Sequence, residues 1–163
     1  MVVKRKSVFE TNSSSVHALV IDQSGLELSK LLVNNKTNKV NVKLGYFGAN
    51  YELFGTQLEK LSYLVTYAAC YSGLYCTDNK HEILNTLYNN SIIFRYIDEV
   101  IKEYCNCSGI EIKFPSKSLN YYSWGFDHQM HPNNHDCIID IWDKESIKNF
   151  IFNKYITLQT YHD

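Results

Sequence analysis

The densest chemistry in the chain lies in Phe9-Glu10-Thr11-Asn12-Ser13-Ser14-Ser15-Val16-His17. It puts a carboxylate, an amide, four hydroxyls and an imidazole into nine consecutive residues. Hydroxyls, main-chain N–H groups and a nearby imidazole together suit an anionic or carbonyl-bearing partner. The same residue types are also ordinary turn-formers. Ser13, Ser14 and Ser15 lie too close to His17 along an extended chain to form a nucleophile–base pair with it. A serine nucleophile would need a histidine from elsewhere.

A second polar cluster supplies one. Asp127-His128-Gln129-Met130-His131-Pro132-Asn133-Asn134-His135-Asp136 holds three of the six histidines of the chain. Asp127 can orient a histidine whose other nitrogen faces a substrate. The second cluster also reads as a solvent-exposed connection; under an enzyme or ligand-binding reading the predicted site joins the two segments. Glu10 or Asp127 acts as base or orienter and His17 or His128 carries a proton. Asn12, Ser13, Ser14, Ser15 and Gln129 contact a nucleotide-like ligand. His128, His131 and His135, with Asp136 or Cys137, have donors suited to Zn²⁺, but their spacing matches no zinc motif and no Cys-x-x-Cys accompanies them. No metal site is assigned, and no cofactor is identified. Cys105 and Cys107, one residue apart, read as small buried apolar residues rather than a disulfide. No phosphate-binding glycine loop, His-Glu-x-x-His helix or Gly-x-Ser-x-Gly elbow occurs.

Several elements must position these clusters. Residues 2–8 read as an edge strand, and Val16 to Ile21, nearly continuously apolar, as a central one. Leu26 to Val33 reads as a short helix capped by Ser24, with Leu28, Leu31 and Leu32 on one face. Val40, Val42 and Leu44 alternate as in a half-buried strand, and Gly45-Tyr46-Phe47-Gly48 follows as an aromatic loop whose glycines mark unusual dihedrals or close packing. Thr56 opens the longest helix, with Leu58, Leu61, Leu64, Val65, Ala68 and Ala69 on its apolar face, ending near Gly73. Asp78 or Asn79 caps a second helix that buries Ile83, Leu84 and Leu87. Ser91 opens a third, carrying Ile92, Ile93, Tyr96, Ile97, Val100, Ile101 and Tyr104 inward. Ile110 to Phe114, Leu119 to Trp124, Cys137 to Trp142 and Tyr155 to Leu158 read as strands, and Asp143 caps a helix through Asn153. Strands at both ends with helices between them predict an α+β fold, a mainly antiparallel sheet with the helices clustered on one face.

Composition bounds the function. The 163 residues suit one globular domain, and 45% hydrophobic with 20% charged residues excludes wholesale disorder. A formal net charge of −1 removes the case for non-specific nucleic-acid binding. The N-terminal charges are not followed by a signal-type apolar run, no stretch is long enough to span a membrane, and five cysteines cannot all pair. The expectation is a cytoplasmic protein of the host cell with reduced thiols and no membrane association. Thirteen tyrosines suit interfaces and ligand pockets.

The opening Arg5-x-x-x-Phe-Glu-Thr-Asn-Ser-Ser-Ser-x-His resembles the start of a family of small proteins of phages and bacterial mobile elements. Gly45-Tyr46-Phe47-Gly48, the Lys60-Leu61-Ser62-Tyr63-Leu64 helix pattern and Asp127-His128-Gln129 match further segments of that family, so the likeness covers about residues 5–130. Where the family often has a Ser after the His and after the Gln, this chain has Ala18 and Met130, and neither hydroxyl role is carried over. The family has no assigned activity, so the resemblance implies a mobile-element context rather than a chemistry. Two expectations follow. One is an accessory protein that binds and inhibits a host or defence protein or nucleoprotein complex, in the manner of an anti-CRISPR. The other is a small enzyme or binding protein for the nucleotide-like ligand described above.

Overall fold

The structure is a computed structural model, which describes residues 3–10, 15–22, 27–48, 51–74, 77–114, 124–126 and 137–162. Its largest sheet is antiparallel and four-stranded. β1 (Val3–Glu10) lies at one edge and pairs with β2 (Ser15–Asp22), with a register shift between Lys6 and Val8. The last strand, Ile156–His162, pairs with β2 on one side and with a short strand, Glu52–Phe54, on the other. The expected apolar strand at Val16 to Ile21 is thus interior to the sheet. Leu19 and Leu158, paired in register, face the core at 6% and 0% exposure. Ala18 and Gln159, the next pair and so on the opposite face, are also buried.

Between these strands the chain builds two small parallel pairs. β3 (Val40–Val42) pairs with Ile110–Ile112, and β4 (Tyr46–Phe47) pairs with Gly125–Phe126. In chain order the remaining strands are then β5 (Glu52–Phe54), β6 (Ile110–Ile112), β7 (Gly125–Phe126) and β8 (Ile156–His162). The fold is α+β, as expected, with antiparallel pairing dominant and these two parallel pairs added.

The helices begin where the sequence supplies caps. In α1 (Gln57–Tyr71), Thr56 and Glu59 form a reciprocal capping box. Leu61, Leu64, Val65, Ala68 and Ala69 are fully or almost fully buried, but Leu58 in the first turn is 47% exposed. Asn79 caps α2 (Lys80–Asn85), which runs into a π-helical turn, Thr86–Asn90. The Tyr88 hydroxyl at that turn donates to Ile110 O at 2.9 Å and accepts from Ile112 N–H at 3.3 Å, tying the turn to β6. Ser91 caps α3 (Ile92–Cys105), and Asn106 closes it in the left-handed region at φ 51°. Ile93, Ile97, Val100 and Ile101 point inward, whereas Ile92 is 51% exposed. Asp143 caps α4 (Lys144–Phe152), accepting from two main-chain N–H groups at 3.1 Å. One buried cluster joins α1, α3 and α4 to Leu19 and Leu158 of the sheet. Each large apolar side chain sealed in it stabilises the fold by roughly 1.5–3 kcal/mol.

Two expected elements do not form. The helix expected over Leu26 to Val33 is replaced, in its described part, by an irregular strap. Leu28 makes an isolated antiparallel bridge with Asn153, Ser29 N–H donates to Phe152 O, and Lys154 N–H donates to Glu27 O. These bonds commit the main chain to the α4–β8 turn, which leaves it none for a helix. Along the strap Leu31 and Val33 are half-buried and Leu32 is 94% exposed, the alternation of extended chain. The strand expected at Cys137 to Trp142 is a series of bends and a turn. Asp140 Oδ1 accepts from Trp142 N–H at 3.0 Å and turns the chain into α4. Ile138 and Ile141 are buried, three residues apart. No helix among the described residues is long and apolar enough to cross a membrane.

Candidate functional site

Of the predicted site residues, Glu10, Ser15 and His17 lie within the described chain. Glu10 is the last residue of β1, and Ser15 and His17 belong to β2, where the backbone of His17 lies between Phe9 and Thr160. Asn12, Ser13, Ser14, Asp127, His128 and Gln129 are outside the described residues, as are His131, His135 and Asp136. The expected meeting of the two polar segments in one pocket therefore has no geometry to report. Among the described residues no group of three or more His, Cys, Asp or Glu side chains is placed to hold a metal. Cys105, Cys107 and Cys137 are free thiols. Burial pushes the Cys137 thiol up to about 12, the setting of an inert packed cysteine rather than a nucleophile.

A different site is laid out by the strand-to-helix segment between β3 and α1. Phe47 packs edge-to-face on Phe54 at 5.1 Å and on Tyr63 at 5.2 Å, which fixes β4 against α1. Gly45 makes this possible, because a Cβ there would stand 2.6 Å from the Phe47 ring. Its N–H donates to Thr66 Oγ1 at 3.0 Å, and Ser62 Oγ donates to Lys43 O at 2.6 Å, so α1 holds the whole turn. Gly48 takes φ 101°, in keeping with the unusual dihedrals expected of this segment.

What results is an open trough of about 620 Å³. One wall is β3 with Lys43, the other is β5 with Glu52 and Phe54, and β4 and the first turns of α1 complete the lining. A second trough of about 490 Å³ lies beside it under Leu31, Leu32 and Val33 of the strap. Asn41, Thr56 and Leu58 line both and form the ridge between them. Leu32 and Leu58, exposed by 94 and 47%, line this surface. Among the described residues Asn41 Oδ1, a buried acceptor, has no hydrogen-bond partner, a deficit that costs roughly 1–3 kcal/mol where it persists.

The charges divide by wall. Lys113 pairs with Glu111 at 2.6 Å and pulls the Glu111 carboxyl below its usual value through that hydrogen bond. Glu59 is engaged with the main chain and hydroxyl of Thr56 at 3.0 and 2.8 Å. Lys30 and Lys43 carry no ion pair among the described residues. The strap and β3 side is therefore the basic side, and the β5 side carries Glu52.

None of Asn41, Lys43, Glu52, Leu53 or Leu58 was marked as functional by the sequence. Leu58 and Leu32 lie on apolar stripes that periodicity assigns wholly to the core, and only the tertiary arrangement turns them outward. Tyr46 and Phe47 of the aromatic segment line the trough together with β3, β5 and α1. Comparison with known proteins adds no relative to this picture: no family model, no curated protein and no solved structure matches the chain.

Proposed function

We propose that this is a phage- or prophage-type accessory protein that binds and inhibits a host or defence component, acting by contact. The mobile-element context comes from the motifs at residues 5–17, 45–48, 60–64 and 127–129. The observation that carries the binding role is the double trough with Leu32 and Leu58 exposed on its lining. Large apolar side chains gathered on one surface favour association, because covering them removes apolar area from water at about 25 cal/mol per Å².

The test is a pull-down with the tagged full chain from host cells that carry defence systems, read by mass spectrometry. Leu32→Glu and Leu58→Glu replace exposed side chains, so the fold should persist with its helical circular dichroism intact. Either change should cut partner recovery at least about tenfold, a loss of about 1.4 kcal/mol. Recovery of a specific partner at the same level by both variants would move the binding surface elsewhere, and recovery of none by the wild type would remove the proposal.

A further inference from the structure

We infer that the larger trough takes an extended peptide of a partner protein, laid as an added strand between β3 and β5. This rests on the binding role proposed above and names its chemistry.

Both walls come from strands that, among the described residues, pair on one edge only. β3 uses Val40 N–H toward Gly109 O at 2.9 Å and Val42 O toward Lys113 N–H at 2.8 Å. In a parallel ladder alternate residues turn their main-chain groups to opposite sides, so the N–H and C=O of Asn41 face away from β6. Asn41 lines the trough. β5 is the outer strand of the large sheet, paired with β8 alone among the described residues. An open strand edge is a row of main-chain donors and acceptors that another extended chain can complete. A helix or a small apolar molecule in the same place leaves those groups unpaired.

Side chains set the register of such a strand. Alternate residues of an added strand point to opposite faces, so one set meets Phe54 and Leu58 while the other faces solvent. The volume of about 620 Å³ falls within the range of roughly 300–1,000 Å³ of ordinary ligand sites. Lys43 on the β3 wall has no ion pair among the described residues, which favours an acidic residue in the peptide at that wall. Glu52 on the opposite wall disfavours one there. The occupant is thus an extended segment alternating apolar and polar residues, with its carboxylates toward β3.

The experiment is selection of a displayed library of random peptides of about ten residues against the full chain, with Leu58→Glu protein as the counter-selection. Enriched peptides should alternate apolar residues with Asp or Glu. The synthetic form of the best of them should shift the ¹⁵N–¹H resonances of Asn41 and Leu53 on titration. N-methylation of its edge-facing amides should weaken binding about tenfold or more, because the added strand loses its ladder. Full affinity after N-methylation, apolar residues recurring at helical spacing, or enrichment equal on the Leu58→Glu protein would overturn the inference. So would a dimer of the wild-type chain in sedimentation that Leu58→Glu dissolves, since the trough would then belong to a second copy. A partner captured equally well by wild type and Leu58→Glu sinks the strand-addition inference and leaves the binding role standing. Peptides that bind the trough while the wild type captures no host protein do the reverse.

Discussion

Lys60 is the residue whose environment departs furthest from what its type prefers. Its side chain is fully buried in α1, and its ammonium donates to Asn153 O at 2.7 Å and to Ile156 O at 3.0 Å. These carbonyls end α4 and begin β8, so the positive charge meets the negative end of a helix dipole and pins the turn between them. Burial lowers its pKa from 10.5 to about 8. Below pH 8 the folded and unfolded chains are both protonated there, and the penalty is constant. Between about 8 and 10.5 the unfolded chain keeps a proton the folded chain has released, so stability rises with pH, by up to about 1.4 kcal/mol per unit. Cys137 acts oppositely: its thiol is raised from 9.0 to about 12, so above pH 9 the unfolded chain ionises first and stability falls. Tyr63, raised well above 10.0 by burial, adds to that fall at higher pH. The Lys60 effect is therefore least opposed between pH 8 and 9. Urea midpoints of the wild type should rise across that unit, and in Lys60→Met the rise should vanish. Parallel profiles for the two proteins would show that Lys60 stays charged in the fold.

The turn from α3 into β6 rests on two left-handed residues with different tolerances. Asn106, at φ 51°, closes the helix at an exposed position, and Asn is among the few residues that adopt this conformation readily. Gly109, at φ 112°, is buried beside Asp98, and an added Cβ would collide with its carboxylate. That carboxylate accepts the Ile110 N–H at 2.7 Å and pairs with Lys102 at 2.6 Å, so moving it loosens the start of β6. Gly109→Ala should lower unfolding stability by about 2 kcal/mol or more, and Asn106→Gly should stay within about 0.5 kcal/mol of wild type. Equal effects in chemical denaturation would refute the distinction. The caps at Thr56, Asn79, Ser91 and Asp143 and the periodic stripes after them were legible in the sequence because helix signals are local. The strap at Leu28 and the bend at Asp140 were not, because their form is set by main-chain bonds to Phe152 and Lys154 and by a side chain capturing the nearby backbone. Alternation at Val40 to Leu44 and Ile110 to Phe114 revealed strands, yet nothing in alternation says that the two run parallel to one another. The candidate site was less legible still: its walls β3 and β5 are near in sequence but belong to different sheets, and no local pattern says that they frame one trough.

At the scale of the whole molecule, sheets and core are stitched by residues remote along the chain. Leu19 pairs with Leu158, Tyr46 with Gly125, and Val40 with Ile110. Folding rates fall as such separations grow, because loops must close before their contacts repay the lost entropy. Trp124 is 1% exposed and donates to Thr77 O at 3.1 Å, while Trp142 is 53% exposed. In a Trp142→Phe background the fluorescence of Trp124 should report burial, and refolding followed by it should take milliseconds to seconds rather than microseconds. A microsecond phase carrying the full amplitude would contradict that. The placement of β8 has a consequence for synthesis. Because it lies between β2 and β5, a ribosome must deliver residue 162 before the large sheet can close. Until then β2 and β5 have no common neighbour, and Lys60 lacks the carbonyl of Ile156. The nascent chain thus emerges with its helices formable and its large sheet open, its strand edges unpaired until β8 arrives.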